Sequence, residues 1–234
     1  MQIQCVIFDI DNTLYSYDAA HAAAFQKLTQ FAAERLGISG ADFQALHRQT
    51  NEALKQRMGP VAAVHNRLIR YQNLVEQRGG DLGLALEMNE LYWSTLLDAM
   101  QPNDGAVGTL QALRERGVRV GIGTDMTARL QLVKLRRLGL LPWVDFIVSS
   151  EEAGAEKPSP ALYQLCVEKA GVDAQRCLFV GDSLVKDVLG PAGCGLQSLW
   201  FNPDGQRSAV QVGQIRSLRE VPGHLDDGEM NQEK

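Results

Sequence analysis

Hydrophobic and polar positions repeat with different periods in different parts of the chain. Residues 5–8 form a continuous apolar run, which predicts a short strand buried on both faces. Over residues 16–100, apolar positions recur at steps of three and four, most clearly within 61–75, and this spacing predicts amphipathic helices. After residue 103, short apolar runs alternate with helical patterns. The pattern therefore predicts a helical stretch between a first strand and a mixed remainder.

Turn-forming residues divide the helical stretch into four predicted helices. Gly37, Gly59-Pro60 and Gly79-Gly80 each end a helical pattern, because glycine and proline favour turns over helix interiors. The predicted helices cover residues 18–36, 41–58, 61–78 and 82–99. Because no strand interrupts them, residues 16–100 are predicted to form an all-helical domain.

Strands and helices alternate regularly over the rest of the chain. The predicted strands cover residues 118–123, 146–148, 178–180 and 198–201. The predicted helices cover residues 105–116, 127–138, 160–170 and 184–192. Such alternation predicts a parallel sheet with helices on both faces, which is the α/β class. The first strand joins this sheet, so residues 1–15 and 101–234 are predicted to form one α/β domain, with residues 16–100 inserted after the first strand.

The composition and charge of the chain narrow the range of partners. Of its 234 residues, 45% are hydrophobic and 22% are charged, which is typical of a globular protein with a sizeable core. The net charge is −5 and lysine and arginine are scattered, so neither nucleic acid nor a membrane is expected as a partner. No apolar run approaches membrane-spanning length. The four cysteines lack paired or metal-binding spacing, which predicts a reduced, cytoplasmic protein.

Charged and hydroxyl side chains follow the predicted strands. In a parallel sheet the carboxyl ends of the strands share one edge, and ligands bind in the crevice there. Asp9 and Asp11 follow the first strand, and two close carboxylates favour either a bound proton or a hard cation. This arrangement suits nucleophilic attack with acid–base assistance, or metal binding. The residues predicted to meet at this edge are Asp9, Asp11, Thr124, Asp125, Lys157, Asp182 and Asp187.

The order of these residues resembles the four motifs of the haloacid dehalogenase-like (HAD) hydrolase superfamily. The matching segments are Asp9-x-Asp11-x-Thr13, Thr124, Lys157-Pro158 and Gly181-Asp182-x-x-x-x-Asp187. The resemblance covers essentially the whole chain and implies a Rossmann-like, doubly wound sheet with a helical cap inserted after the first motif. Asn12 stands where the family often has glycine, and Asp125-Met126 where Asn-Gly is frequent, but neither change removes a functional group.

The resemblance implies a role for each motif residue. Asp9 is expected to be the nucleophile that forms an aspartyl-phosphate, and Asp11 the group that protonates the leaving oxygen and later activates water. Neighbouring negative charge is expected to favour a proton on Asp11. Lys157 is expected to neutralise the nucleophile and the phosphoryl oxygens, while Thr124 and the amide of Asp125 bind a phosphoryl oxygen.

A divalent cation is expected because several carboxylates and a phosphate dianion repel one another. Like charges about 4 Å apart repel by roughly 4 kcal/mol at an effective dielectric constant near 20. Mg²⁺ suits a site made only of oxygen ligands. The resemblance implies ligation by Asp9, the backbone carbonyl of Asp11 and Asp182, with Asp187 acting through water.

The sequence therefore predicts a Mg²⁺-dependent phosphomonoester hydrolase that acts on a small phosphorylated metabolite. Nucleoside monophosphates, sugar phosphates and phosphoglycolate-like acids all stay open as substrates, as does the oligomeric state. A dehalogenase of the superfamily would need neither Asp11 nor Asp182, whereas a phosphomutase would share the whole core. A non-catalytic relative would be expected to lack the nucleophile or a metal ligand, and both are present here.

The helical cap is expected to close over the crevice and to contribute to the choice of substrate. Three of its basic residues, His65, Arg67 and Arg70, are candidate substrate ligands, but the helical pattern favours a solvent-exposed face for each. Tyr15 and Tyr17, next to the first motif, are candidates to line the entrance. Two short neighbouring connections join the cap to the core, so a hinge motion is expected.

Overall fold

The computed structural model describes residues 2–225, which divide into two compact units. One unit contains the described residues up to Ser16 and from Gln101 onward, and the other is Tyr17–Met100. The first boundary lies one residue beyond the position expected from the sequence. Across residues 2–225, no helix combines the length and the apolar character that crossing a membrane would require.

The first unit contains a parallel sheet, which confirms the predicted α/β class. Its strands among the described residues are β1 (Cys5–Phe8), β2 (Arg119–Thr124), β3 (Phe146–Ser149), β4 (Cys177–Gly181), β5 (Gln197–Phe201) and β6 (Gln214–Ile215). They lie in the order β3-β2-β1-β4-β5-β6, and every neighbouring pair is parallel. The chain runs outward from β1 through β2 to β3 and then returns to β4 on the other side of β1. This path creates a topological switch point between β1 and β4.

The register aligns the carboxyl ends of the central strands. Phe8 of β1 lies beside Ile122 of β2 and Val180 of β4. All four residues of β1 are buried, as expected for a strand between two helical layers. The hydrophobic pattern does not predict β6, because a run as short as Gln214–Ile215 shows no alternation.

The second unit is built from helices, as the sequence predicts for this stretch. They are α1 (Tyr17–Leu36), α2 (Gly40–Met58), α3 (Arg67–Gln77) and α4 (Gly83–Ala99). α1 packs against α4, and α3 packs against both α2 and α4. The contacts bury apolar side chains from each helix, including Leu28, Phe43, Leu74 and Met88. The unit therefore has a hydrophobic core of its own.

The third predicted helix is two separate elements in the structure. A short 3-10 helix covers Ala62–His65, and α3 begins at Arg67. The helix breaks at Asn66, whose side-chain carbonyl accepts a hydrogen bond from the backbone N–H of Leu68 and so caps α3. The expected solvent exposure is wrong for two residues of this segment, because Arg67 and Arg70 are buried.

Helices also flank the sheet in the first unit. They are α5 (Ala106–Glu115), α6 (Ala128–Arg137), α7 (Ser150–Ala153), α8 (Pro160–Ala170) and α9 (Gly190–Ala192). The short helix α7 is not predicted, and the predicted helix 184–192 begins instead as a π-helical turn, Leu184–Leu189. Leu162 of α8 belongs to the same buried hydrophobic cluster as Ile7 and Phe179 of the sheet.

Candidate active site

The predicted site residues follow the carboxyl ends of neighbouring strands. Asp9 directly follows β1, and its backbone N–H donates to the carbonyl of Val180 in β4 over 2.9 Å. Thr124 is the last residue of β2, and Asp182 directly follows β4. Because β2 and β4 flank β1, the loops that carry these residues meet beside the switch point.

Three carboxylates form a compact cluster at this edge. One carboxylate oxygen from each of Asp9, Asp182 and Asp187 lies within 4.8 Å of the others. The backbone of Asp182 is held on both sides: its N–H donates to the Thr13 hydroxyl at 3.1 Å, and its carbonyl accepts from the Trp200 indole N–H at 2.8 Å. Thr13, the last residue of the first motif, therefore helps to position the carboxylate that follows β4.

Asp187 joins the cluster because of the π-helical turn and the glycine before it. Its carboxylate accepts the backbone N–H of Ser183 at 2.9 Å. A Cβ at Gly181 would lie 2.4 Å from the carboxyl carbon of Asp187, so a side chain there would displace this carboxylate from the end of β4. The π-helical turn spans Leu184–Leu189. This geometry is rare in proteins as a whole, but where it occurs it is often at a functional site.

Lys157 connects two of the three carboxylates. Its ammonium lies 2.9 Å from Asp9 and 2.7 Å from Asp187, and it donates to the carbonyl of Gly123 at 3.2 Å. Burial alone would lower the pKa of Lys157, which is 4% exposed, but Asp187 and Asp9 outweigh burial and raise its pKa well above the usual value. Lys157 is therefore a fixed positive charge beside Asp9.

The cluster carries more negative charge than Lys157 balances. Burial raises the pKa of Asp9 to about 8, with Asp187 and Asp11 adding to the shift and Lys157 opposing it. Burial and then Asp187 raise the pKa of Asp182 to about 6. These shifts indicate that ionising both Asp9 and Asp182 is unfavourable without further positive charge. Three oxygen donors this close together fit a hard divalent cation such as Mg²⁺.

Asp11 lies beside a different lysine, Lys134. The Lys134 ammonium is 2.6 Å from one Asp11 oxygen and 2.9 Å from the other, and Tyr15 and Gln131 also donate to the carboxylate. Burial opposes ionisation of Asp11, but Lys134 and the two hydrogen bonds outweigh it and hold the pKa of Asp11 below its usual value. The expectation that Asp11 keeps a proton is therefore wrong for this arrangement. Tyr15 is fully buried against Asp11 rather than lining an entrance.

The motif pattern does not include Lys134 and Gln131, which both lie on α6. They occupy the buried side of the helix together with Leu135 and Leu138, at the spacing of a single helix face. Two polar residues within a buried stripe are the signal available in the sequence, because a lysine is almost never fully buried without a partner. Gln131 also donates to the Thr124 hydroxyl at 2.8 Å, so α6 links the second motif to the first.

Asp125, expected to bind phosphate through its amide, organises the loops with its carboxylate. One carboxylate oxygen accepts the backbone N–H of Lys157 at 2.9 Å, and the other lies 2.8 Å from the Lys186 ammonium. These contacts join the loop after β2 to the loop that carries Lys157 and to the π-helical turn. Asp125 therefore holds together three of the segments that surround Asp9.

Known proteins resemble this chain over nearly its whole length. A model of the haloacid dehalogenase-like hydrolase family matches residues 3–195. The chain is 34% identical to the ribulose-1,5-bisphosphate 5-phosphatase of Halopiger xanaduensis, over 95% of this chain and 94% of that protein. It is 28% identical to the pyrimidine 5′-nucleotidase YjjG of Escherichia coli, over 94% of this chain and 98% of that protein.

A solved structure extends the similarity to the fold. The crystal structure of the HAD-hydrolase YfnB of Bacillus subtilis, bound to magnesium, is 26% identical to this chain and superposes with a TM-score of 0.73. The match covers 97% of this chain and 100% of YfnB. The similarity therefore includes both the sheet and the helical stretch that interrupts it.

Proposed function

Because this chain belongs to the haloacid dehalogenase-like hydrolase family and is a phosphatase, we propose that it hydrolyses phosphomonoesters with Mg²⁺ and with Asp9 as the nucleophile. The observation that carries this proposal is the position of Asp9, 2.9 Å from the Lys157 ammonium and beside Asp182 and Asp187. A carboxylate repels a phosphate dianion, and positive charge held at the point of contact removes that barrier.

In the first step, a carboxylate oxygen of Asp9 attacks phosphorus. A bond forms between these two atoms while the bond from phosphorus to the ester oxygen breaks, which yields an aspartyl-phosphate and an alcohol. Lys157 balances charge on the phosphoryl oxygens. The hydroxyl of Thr124, positioned by Gln131, and the amide of Asp125 bind a phosphoryl oxygen.

Asp11 serves as the acid and the base in this scheme. A phosphate dianion brings negative charge close to Asp11 and favours its protonated form. Protonated Asp11 gives its proton to the leaving oxygen in the first step. It then accepts a proton from the water that hydrolyses the aspartyl-phosphate, and Lys134 stabilises the ionised form in which it starts that step.

The carboxylates of Asp9 and Asp182 and the backbone carbonyl of Asp11 would hold Mg²⁺, and Asp187 would act through water. These donors are all oxygens, and the raised pKa values of Asp9 and Asp182 show a need for positive charge there. When bound, the ion supplies charge that neutralises the cluster and the substrate phosphate.

The relatives suggest which substrates to test first. One is named a ribulose-1,5-bisphosphate 5-phosphatase and the other a pyrimidine 5′-nucleotidase, so both names describe removal of a phosphate from a 5 position. A phosphorylated five-carbon sugar or a nucleoside monophosphate is therefore the leading substrate class. We assign the choice between them to the helical unit, Tyr17–Met100, because the motif residues all lie in the sheet unit.

The proposal is tested by assaying release of free phosphate from a panel of phosphorylated metabolites. Wild-type protein with Mg²⁺ should release phosphate, and either removal of divalent ions or the Asp9→Asn substitution should abolish release. Asp204→Asn, at an exposed position of the sheet unit, is the matched control and should retain activity.

Turnover by folded Asp9→Asn protein, or by metal-free protein, would contradict the proposed chemistry. Transfer of the phosphate to a second position of the sugar, rather than to water, would identify a phosphomutase instead. Circular dichroism of each variant separates loss of chemistry from loss of fold.

A further inference from the structure

The connection between β5 and β6 forms a pocket in the sheet unit. These strands are parallel neighbours, and a parallel pair needs a crossover of about a dozen residues, which is usually a helix. Here the crossover, residues 202–213, contains no helix. The pocket that it lines has a volume of about 870 Å³. Sites for small molecules have volumes of roughly 300–1,000 Å³, so the pocket is large enough for a metabolite.

A buried asparagine gives the connection a defined shape. Asn202 is 3% exposed, and its side-chain NH₂ donates to the backbone carbonyl of Gln206 and to the side-chain carbonyl of Gln214, each at 3.0 Å. Its side-chain carbonyl accepts the backbone N–H of Gln206 at 2.8 Å. Because Gln206 and Gln214 both line the pocket, Asn202 fixes two parts of the lining relative to each other.

Two arginines, Arg207 and Arg216, make the pocket positive. Both line it, and between residues 2 and 225 no aspartate or glutamate does. In the same part of the chain neither guanidinium forms an ion pair, although Asp204 lies in the same connection. The protein as a whole has a net charge of −5. A pocket lined by charges of one sign concentrates the opposite charge, so this pocket attracts anions.

The guanidinium of Arg216 lies close against the backbone of the connection. A Cβ at Gly205 would be 2.8 Å from Nη2 of Arg216, and the φ of Gly205 is +65°, a conformation that favours glycine. The absence of a side chain at Gly205 therefore leaves room for the guanidinium. This packing restricts where the guanidinium can lie, which reduces the entropy lost when it binds a ligand.

The pocket also has an apolar part. Trp200, Val210 and Val212 line it together with the polar residues. Trp200 lies beside Gln214 in the register of β5 and β6, and its indole N–H donates to the carbonyl of Asp182 at 2.8 Å. The indole ring is therefore held in one orientation. Positive charge next to fixed apolar surface suits a ligand that has both an anionic and an apolar part.

We propose that this pocket binds a small organic anion, in which a phosphate, sulfate or carboxylate group is joined to an apolar body. Arg207 and Arg216 bind the anionic group, because the guanidinium fork matches the spacing of its oxygens. The apolar body packs against Trp200. The site is separate from the carboxylate cluster around Asp9, and the inference goes beyond the proposed function.

Titration of the tryptophan indole N–H signals with phenyl sulfate tests the proposal. The chain has three tryptophans, of which Trp200 lines the pocket. In protein labelled with ¹⁵N-tryptophan and freed of divalent ions, phenyl sulfate should shift the Trp200 signal to saturation at millimolar concentration. The signals of Trp93 and Trp143 should stay in place, and Trp200→Phe assigns the third. Inorganic sulfate should bind at least about 3-fold more weakly, because it lacks the apolar body.

Substitutions of the two arginines test which groups bind the anion. Arg207→Met and Arg216→Met should each weaken phenyl sulfate binding by about 10-fold or more, and the corresponding lysine variants by less. Arg136→Met, at an exposed position of α6 outside the pocket, is the matched control and should leave the affinity unchanged. All three arginines are exposed, so their variants are expected to fold, and circular dichroism checks this.

Asp9→Asn distinguishes the pocket from the active site. It removes negative charge from the carboxylate cluster and would tighten the binding of an anion there, whereas an anion in the pocket should bind with unchanged affinity. Tighter binding in Asp9→Asn, full affinity in both arginine-to-methionine variants, equal affinity for sulfate and phenyl sulfate, or no saturating shift of Trp200 would each overturn the proposal. These measurements involve no turnover, so their outcome is independent of the phosphate-release assay.

Discussion

The ammonium of Lys134 lies within 2.9 Å of both carboxylate oxygens of Asp11. The Lys134 side chain is completely buried, whereas the Asp11 side chain is 25% exposed. The second aspartate of the first motif is thus paired with a helix residue that belongs to none of the four motifs. The protonation state of Asp11 therefore depends on α6 as well as on the neighbouring carboxylates.

Replacing Lys134 by methionine is expected to slow hydrolysis of the aspartyl-phosphate. Without the ammonium, burial dominates and the pKa of Asp11 rises, so less of the ionised base is present to activate water. We expect the rate to fall by about 10-fold or more, within the roughly 10²- to 10⁴-fold that a general base contributes. Rapid-quench measurement with p-nitrophenyl phosphate follows this step, and Lys134→Arg should retain more of the rate. A rate in Lys134→Met equal to that of the wild type would show that Asp11 works without its lysine.

Asp11→Asn is expected to distinguish between good and poor leaving groups. An aryl phosphate needs little protonation of its leaving oxygen, so its phosphorylation step should be nearly retained, whereas an alkyl phosphate should lose much of its rate. Single-turnover rates of phospho-enzyme formation give both values. Equal losses for the two substrates would argue against Asp11 as the acid.

Gly181→Ala is expected to weaken metal binding, because its Cβ would lie 2.4 Å from the carboxyl carbon of Asp187. Displacing a residue that supports metal ligands typically lowers metal affinity by about 10- to 100-fold. The concentration of Mg²⁺ required for half-maximal activity measures this change.

Gly108→Ala is the matched control, at an exposed position inside α5 where a Cβ meets no atom within 4 Å. It should leave the Mg²⁺ requirement unchanged and raise the free energy of unfolding by roughly 0.5–1 kcal/mol. A similar Mg²⁺ requirement in both variants would mean that Asp187 is not needed at its observed position.

The stability of the protein is expected to depend on pH through His47. Burial, Arg70 and Arg67 lower its pKa from 6.5 to about 3 in the folded state. Between these values the unfolded chain binds a proton that the folded protein does not. The contribution of His47 is therefore complete above about pH 6.5 and is lost as the pH falls towards 3, by at most roughly 1.4 kcal/mol per pH unit.

Urea unfolding of the wild type and of His47→Gln at pH 7, 6, 5 and 4 measures this contribution. Asp9 and Asp182 have raised pKa values and act in the opposite direction, but they do so equally in both proteins. The difference in stability between the two proteins should therefore change steadily below pH 6.5. A constant difference over this range would show that His47 does not resist protonation.

Much of the fold and most of the site residues could be predicted because their signals are local. The apolar run of β1 followed by Asp9 and Asp11 places two carboxylates at a strand end whatever packs around them. The alternation after residue 103 likewise requires a parallel sheet, and the ends of parallel strands necessarily meet at one edge. By itself, the sequence therefore determined the α/β class, the inserted helical stretch and the identity of the acidic residues.

The tertiary structure decided which charges are paired. Lys134 meets Asp11 across a separation of 123 residues, and this contact depends on how α6 packs beside the first motif. The same holds for Arg67 and Arg70, whose helical spacing is compatible with either a solvated or a buried face. Periodicity identifies the residues that share a face but not the neighbour that covers that face. The protonation of Asp11 and the burial of the two arginines in α3 therefore follow from contacts between segments far apart in the chain, which a local pattern does not encode.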